Sequence, residues 1–470
     1  MSSLETTELA LPAAEQHCIS PGCGATYRLN ERLYVCARCG GLLDIRLPAR
    51  IRDADVIKDV WEKRLASSNP KDRSGVWRYR ELLPFPDNVP IVSLDEGNTP
   101  LYDASRSARY AGLNSLQLKH QGCNPTGSFK DTGMTTAITQ ARNLGVRLVV
   151  CASTGNTSAS LAAYAARANL SCAILVPQGQ VSHAKLAQSL DYGAIVFEVA
   201  GNFDDSMRLI RELAQDESIY LVNSINPFRI EGQKTVAAEM LQQLGWEVPD
   251  HVVVPGGNLG NSSALGKGFW ELRELGLINR LPQLSVVQAA GAAPFAHLFT
   301  DHESQLLGED APAEFHDVDH PETLASAIKI GAPISWQKAW RALRWTKGRA
   351  LAVSEQQIAD AKAMIGRDGI GCEPASATTL AGIKVMVGAG VIQPEERVIA
   401  VLTGHLLKDT EYVIDYHSGR LALPDNSGTN KRQIKGAFAN SPISVKATRQ
   451  AIIEKLAYLT QTNRDNQHTT

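Results

Sequence analysis

The stretch GCNPTGSFKDTGM, residues 122–134, sets one amine, Lys130, behind Phe129 in a run of Gly, Pro, Ser, Thr and Asn. A solvated lysine needs no such frame. A nucleophilic lysine does, and if it works through a carbonyl cofactor it also needs a phosphate cup and a partner for the cofactor's ring nitrogen. GGNLGN at 256–261 follows an apolar run, and its glycines let backbone N–H groups converge at a helix start, where they can cradle a phosphate. The same loop would also serve as a plain turn, and it is not the G-x-G-x-x-G dinucleotide pattern. STGNTSAS at 153–160 offers backbone amides, hydroxyls and one side-chain amide, suited to a carboxylate and a ring substituent; its alternative use is N-capping by Ser153 or Thr154. TGH at 403–405 ends a third apolar run. Cys18, Cys23, Cys36 and Cys39 are spaced C-x4-C-x12-C-x2-C, which can present four thiolates tetrahedrally to a structural Zn2+ with no open position.

These groups need rigid elements behind them. RLVVCA (147–152), CAILVP (172–177), AIVFEV (194–199), IYLVNS (219–224), HVVVP (251–255), LSVVQAAG (284–291) and RVIAVLTG (397–404) read as buried strands. Helical stretches such as SASLAAYAARA (158–168) lie between most of them, an alternation that predicts open, mostly parallel α/β sheets. In such sheets ligands bind beyond the carboxyl ends of strands, where the polar loops sit. The chain of 470 residues is long enough for two or three domains, and its net charge of −2 gives no argument for nucleic acid or an anionic membrane as partner. No apolar run approaches the ~20 residues of a membrane span. The acidic N-terminus does not resemble a signal peptide, and four cysteines are scattered singly, so the expected location is cytoplasmic. From about Ser418 the chain turns polar, with a short helix expected over 445–459 and frayed ends.

As a set, NPTGSFKDTGM, STGNTSAS, GGNLGN, EPASA (373–377) and TGH resemble the tryptophan-synthase-β-like pyridoxal-phosphate enzymes of fold type II. SINPFRIEGQKT (224–235), LASAIKIGAPISW (324–336) and LTGHLLKD (402–409) are similar to motifs of the threonine synthases among them. GGLLDI (40–45), SGVWRYRELLP (74–84) and DYHSG (415–419) extend the likeness toward the plant-type branch, over roughly residues 15 to 419. Two departures stand out: Thr132 where the family often has Arg, and Leu406 where it usually has Gly.

The resemblance implies two open α/β domains with pyridoxal 5'-phosphate between them, plus a small zinc-ribbon-like segment at 1–47. The larger, cofactor-binding domain would span 48–115 and 225–417, the smaller 116–224, and a partly disordered extension 418–470. Lys130 would carry the cofactor. Gly257, Asn258, Leu259, Gly260 and Asn261 would bind its phosphate, Asn156 would meet its ring hydroxyl, and Thr403 would face its ring nitrogen. Because a Thr hydroxyl cannot protonate a pyridine as an Asp can, the ring is expected to stay largely neutral. The implied substrate is O-phosphohomoserine, its carboxylate at Ser153, Thr154 and Thr157 and its phosphate at Asn223, Ser224 and Arg229. Lys234 is a weaker phosphate candidate, since a surface lysine would read the same way, and His405 is chiefly structural. Lys130 would be the base at Cα and then Cβ for γ-elimination of phosphate, before water adds at Cβ to give threonine. Rival activities on the same scaffold are a cysteate-synthase-like replacement on phosphoserine and a serine/threonine dehydratase. A catalytically silent regulator is the non-enzymatic alternative. The likeness also implies a homodimer and raises activation by S-adenosylmethionine.

Overall fold

The structure, a computed structural model, describes residues 14–48, 53–178, 183–201, 203–214, 216, 218–302, 314–424 and 431–457. The acidic opening at 1–13 and the polar stretches at 425–430 and 458–470 lie outside them. The chain packs as two compact units that divide after Thr410.

The first unit begins with three short antiparallel strands, β1 (Glu15–Cys18), β2 (Thr26–Arg28) and β3 (Leu43–Arg46), in the order β2-β1-β3. Their own core is little more than Cys18, Cys36 and Leu43, so this ribbon gains its stability from what it binds. Lys338 donates to the Leu43 carbonyl (2.6 Å) and Lys267 to the Ile45 carbonyl (2.6 Å), while Asp44 pairs with Arg341 and Lys338. Gln140 donates to the Leu29 carbonyl (2.8 Å), and the Tyr34 hydroxyl accepts the Leu221 amide proton (2.8 Å).

The chain next lays down β4 (Leu101–Asp103) and β5 (Gln117–His120). It leaves to form β6 (Leu148–Ala152), β7 (Ser171–Pro177), β8 (Ile195–Val199) and β9 (Ile219–Leu221). It then returns with β10 (His251–Pro255), β11 (Gln283–Ala289), β12 (Arg349–Val353) and β13 (Val398–Leu402). The smaller sheet, β8-β7-β6-β9, is wholly parallel. The larger, β12-β11-β10-β13-β5-β4, is parallel except for β4 at its edge. All seven apolar runs read as strands are strands. β4 and β5 carry Asp103 and Lys119 among few apolar residues, β12 is a short run of mostly small residues after Arg349, and periodicity alone did not mark them.

Five helices carry the site: α1 (Lys130–Asn143), α2 (Asn156–Ala168), α3 (Pro227–Gln243), α4 (Gly260–Glu274) and α5 (Pro374–Gly388). α3 starts with Pro227 at its first position and with Asn226 capping the Phe228 amide (3.0 Å), and it is buried from Pro227 to Leu241. Its backbone lies close against α1. A Cβ at Gly232 would collide with the Thr132 carbonyl oxygen, and one at Gly133 would fall 2.7 Å from that of Arg229. Apart from Arg229, the charges along α3 are paired inside the protein. Lys234 sits between Glu231 (2.5 Å) and Glu271 (2.6 Å), so it is buried structure and neither a surface residue nor a phosphate ligand. Glu239 binds Lys119 and the amides of Asn98 and Thr99. Removing one partner of such a pair costs about 3–5 kcal/mol, since it strands the other charge.

The second unit contains a short antiparallel pair, Ala422–Pro424 with Lys431–Gln433, and a helix over 449–457 within the span expected from sequence. The Tyr416 hydroxyl accepts the Phe438 amide proton (3.2 Å), and His417 Nδ1 accepts that of Asn440 (2.8 Å). Among the described residues, no helix is long and apolar enough to cross a membrane.

Candidate active site

The topology brings the polar loops together. In the larger sheet β10 is flanked by β11 and β13, and in the smaller one β6 is flanked by β7 and β9, so the chain reverses its winding at β10/β13 and at β6/β9. At such switch points a crevice opens beyond the carboxyl ends of the strands. The loops leaving these four strands, together with Lys130, line one cavity of about 1330 Å³. That exceeds the ~300–1,000 Å³ of a usual small-molecule pocket, leaving room for a cofactor and a substrate together. Lys130, Ser153, Thr154, Asn156, Thr157, Asn223, Ser224, Arg229, Gly257, Asn258, Leu259, Gly260, Asn261 and Thr403 all line it. Lys234 and His405 are not among its lining residues. His405 Nδ1 instead accepts the Leu407 amide proton (3.2 Å), holding the turn after β13. Leu406 adopts ordinary negative-φ backbone and lies against Gly371, so the glycine usual in the family is not required there.

Lys130 is the first residue of α1. Ser128, two residues before it, accepts the Lys130 amide proton at 3.4 Å. The approach to Lys130 is fixed by backbone pairing: Phe129 donates to the Thr403 carbonyl (2.9 Å) and His405 to that of Gly127 (2.9 Å). The ammonium nitrogen lies 4.0 Å from the centroid of the Phe129 ring. Burial, and then the neighbouring Arg229 guanidinium, pull the Lys130 amine down to about 7, with Glu373 opposing them. Near neutral pH a large share of it is the free, nucleophilic base.

Two helix starts face the cavity without side-chain caps. α2 begins at Asn156 after Gly155, and neither Ser153 nor Thr154 takes up its first N–H groups; Ser153 Oγ accepts only the Gly155 amide proton (3.3 Å). α4 begins after Leu259, which holds a left-handed φ of 63° while buried. A buried leucine in that region is strained, at a cost of about 1–3 kcal/mol, and such strain tends to persist where a binding loop needs the shape. Asn258 ties this loop to the segment 317–334, its Oδ1 accepting the Ile334 amide proton (3.3 Å).

At the β13 end a network joins Asn156, Glu373, Ser376 and Thr403. Asn156 Nδ2 donates to Glu373 Oε2 (2.9 Å) and Thr403 Oγ1 to Glu373 Oε1 (3.1 Å). Ser376 Oγ lies 3.2 Å from Thr403 Oγ1 and accepts the amide protons of Thr403 (2.8 Å) and Gly404 (3.1 Å). On the smaller sheet, Asn223 uses its amide on both backbone groups of Ala152 (3.1 and 3.0 Å), which fixes the start of the 153–157 turn. Arg229 is the unusual group. It is 2% exposed, donates to the Val222 carbonyl (3.2 Å), and leaves Nε without a partner. No carboxylate among the described residues forms an ion pair with it, and burial lowers it to about 10, still cationic at neutral pH. Gln233 Oε1, on the same helix and in the same cavity, is also unpartnered.

Nothing in the sequence assigned a role to Glu373 within EPASA, to Phe129 behind which Lys130 sits or to Gln233, nor did it mark the 317–323 segment, all of which line the cavity. The position of Glu373 opposite TGH could have been suspected only from the pairing of two segments that lie far apart in the chain.

The four ribbon cysteines bring their Sγ atoms within 4.8 Å of one another, with Cys18–Cys39 at 3.5 Å and Cys23–Cys36 at 3.7 Å. Four thiolates at the usual Zn–S distance of about 2.3 Å lie roughly 3.8 Å apart, so the set fits a tetrahedral metal. The Tyr27 hydroxyl lies 3.1 Å from Cys36 Sγ, a supporting contact of the kind that orients metal ligands.

Comparison with known proteins bears on this geometry. Residues 92–404 match the family described as pyridoxal-phosphate dependent enzyme. A threonine synthase of Methanocaldococcus jannaschii is 45% identical over 422 residues, covering 89% of this chain and 99% of that one. The chain belongs to the threonine synthases, within the pyridoxal-phosphate-dependent enzymes. The family also shows in threonine synthase 2, chloroplastic, of Arabidopsis thaliana, 37% identical over 94% of this chain and 84% of that one. A fungal L-serine ammonia-lyase from Rhizomucor miehei shares the fold, with a TM-score of 0.59 at 18% identity over 71% of this chain and 100% of that one. As a threonine synthase family member the chain is a pyridoxal-phosphate-dependent lyase of fold type II, and its donor set fits the cofactor. It offers an amine lowered by burial, uncapped helix starts for a phosphate, and an amide and a hydroxyl for the ring.

Proposed function

We propose that this cavity converts O-phosphohomoserine and water to threonine and phosphate, with Lys130 as the cofactor-bearing base and Arg229 as the phosphate clamp. The observation that carries this reading is Arg229, a buried, unpaired cation in the same cavity as Lys130. A dehydratase of serine or threonine has no substrate phosphate to offset such a charge.

Bound pyridoxal phosphate supplies an electron sink that stabilises negative charge at the substrate's Cα. Gly257–Asn261 and the start of α4 would hold its phosphate, Asn156 its ring hydroxyl and Thr403 its ring nitrogen. The Ser153–Thr157 turn receives the substrate carboxylate at the uncapped start of α2. Arg229 and Ser224 bind the substrate phosphate, and Asn223 contributes by holding the turn through Ala152. Lys130, freed when substrate takes its place, removes a proton from Cα and then one from Cβ, and Arg229 stabilises the phosphate as it leaves Cγ. Lys130 returns protons to the carbon skeleton, and water enters at Cβ with the departed phosphate as its base.

The assay uses cofactor-loaded protein with O-phosphohomoserine, with phosphoserine plus sulfite, and with threonine in turn, following free phosphate and amino-acid products. Phosphate and threonine are expected from the first alone. No turnover of O-phosphohomoserine by protein that holds the cofactor would overturn the assignment.

For the ribbon the proposed metal is zinc, supported by the sulfur spacing and the absence of an open ligand position. Cys36→Ser is expected to lose the bound metal on purification, whereas unchanged zinc content would refute the ligand set. The domain division at 47, 224 and 417 is part of the same proposal, with the boundary expected at 115 moved past β5, which pairs with β13 and β4 in the larger sheet. So is a homodimer, to be checked by light scattering. None of the eight cysteines is in a disulfide, which supports a cytoplasmic location.

A further inference from the structure

Glu373 has no part in the reaction as derived above, yet its carboxyl touches both groups assigned to the cofactor ring: Asn156 through Oε2 (2.9 Å) and Thr403 through Oε1 (3.1 Å). The fold makes room for it there. A Cβ at Gly404 would collide with the Glu373 carboxyl group, and Glu373 donates its own amide proton to the Gly404 carbonyl (3.0 Å). Counting protons gives the placement a meaning. A hydroxyl has one proton and two lone pairs. Ser376 Oγ already accepts two backbone amide protons, so its own proton is free for Thr403 Oγ1 at 3.2 Å. If Glu373 is ionised it can only accept, and it takes the Thr403 proton. One lone pair then remains on Thr403, which can face only a ring nitrogen that carries a proton. If Glu373 Oε1 is protonated it donates to Thr403, and the Thr403 proton is released toward a bare ring nitrogen. Glu373 Oε2 accepts from Asn156 in either case.

We propose that Glu373 sets the protonation state of the cofactor's ring nitrogen through Thr403. One proton is shared across the relay, on Glu373 when the ring is neutral and on the ring when Glu373 is ionised. This rests on the reading that Thr403 faces the ring nitrogen, and it replaces the expectation that a threonine there leaves the ring neutral by default. The relay makes the ring state adjustable. The charged and titratable groups around Glu373 are Lys130 from α1, Lys408 from the turn after β13 and the buried Cys372 thiol beside it. Burial pushes the Glu373 carboxyl up, opposed by the hydrogen bonds from Asn156 and Thr403 and then by the two lysines. Any loss of positive charge at Lys130 would therefore move the shared proton toward Glu373.

The test is nitrogen NMR on holoenzyme loaded with cofactor labelled with nitrogen-15 in the ring, recorded against pH for wild type, Glu373→Gln and Thr403→Val. The amide that Glu373→Gln introduces can accept from Asn156 and donate permanently to Thr403, as the protonated acid does. The expected result is a ring held at the neutral-pyridine shift at every pH in Glu373→Gln, with a protonated fraction in wild type that falls as pH rises. Wild type and Glu373→Gln showing the same ring state across the whole range would overturn the proposal. Thr403→Val separates this from the site reading: an unchanged ring signal in that variant means Thr403 does not face the nitrogen, and the cofactor placement itself fails. Equilibrium dialysis of cofactor from each variant confirms equal loading.

Discussion

Lys130→Ala is expected to leave protein that binds pyridoxal phosphate but neither attaches it nor turns over substrate. Borohydride treatment of wild type should fix the cofactor to the peptide containing Lys130, and of the variant to none. The loss in kcat from the missing proton transfers alone is about 10²–10⁴-fold, before the loss of covalent attachment is counted. The pH dependence of capture follows from the amine. Burial first, and Arg229 second, pull it down to about 7, so it is protonated below that value and reactive above it. The rate at which apo-protein captures the cofactor should therefore rise as pH passes through about 7 and then level off. An ordinary lysine at pH 7 has only roughly one amine in a few thousand unprotonated, and its rate would still be climbing at pH 9. Capture that keeps increasing tenfold per pH unit up to pH 9 would show that the site does not activate Lys130.

Arg229→Met is the second large effect, and it should separate activity from stability. Truncating one side of a buried, hydrogen-bonded charge pair costs about 2–5 kcal/mol, so kcat/KM for O-phosphohomoserine should fall about 30- to several thousand-fold, mainly through KM. Arg229→Lys should recover only part of this, because a point charge does not reproduce the forked guanidinium. The methionine substitution should stabilise the substrate-free protein by about 1–4 kcal/mol, since it removes an unpaired buried cation. Inorganic phosphate should raise the melting temperature of wild type and leave that of the variant unmoved. The lysine provides an independent check. With Arg229 gone, the second cause of its lowered pKa is gone, and the midpoint of cofactor capture should move to higher pH. A variant that is neither stabilised nor impaired with the phosphorylated substrate would mean that Arg229 is structural.

What the sequence made legible was what local physics determines. Val252, Val253 and Val254 are buried because no solvated strand tolerates such a run, and the glycines and asparagines after it had few uses other than a turn or a cup. The missing parts depend on partners remote in the chain. Lys119 sits in a strand that periodicity did not mark, because its ammonium is neutralised by Glu239, 120 residues away. Lys234 looked like surface because its burial depends on Glu271 from another helix as well as on the neighbouring Glu231. For Ser153 and Thr154 the alternative of helix capping was open from sequence, and it is closed only by the turn at Gly155, which leaves α2 uncapped. Glu373 was visible within its motif, while its function depends on a glycine at 404 that makes room for it.

The ribbon's attachment bears on how this chain could have been assembled or trimmed. Lys338 finds its partners in the Leu43 carbonyl and Asp44, and Lys267 donates to the Ile45 carbonyl as well as to Glu231. An N-terminal segment added late to a finished catalytic body would not be expected to leave that body with ammonium groups that need the segment's own backbone. The backbone of β3 and the lysines at 267 and 338 therefore depend on one another. A relative that dispenses with the ribbon should carry uncharged side chains at both places.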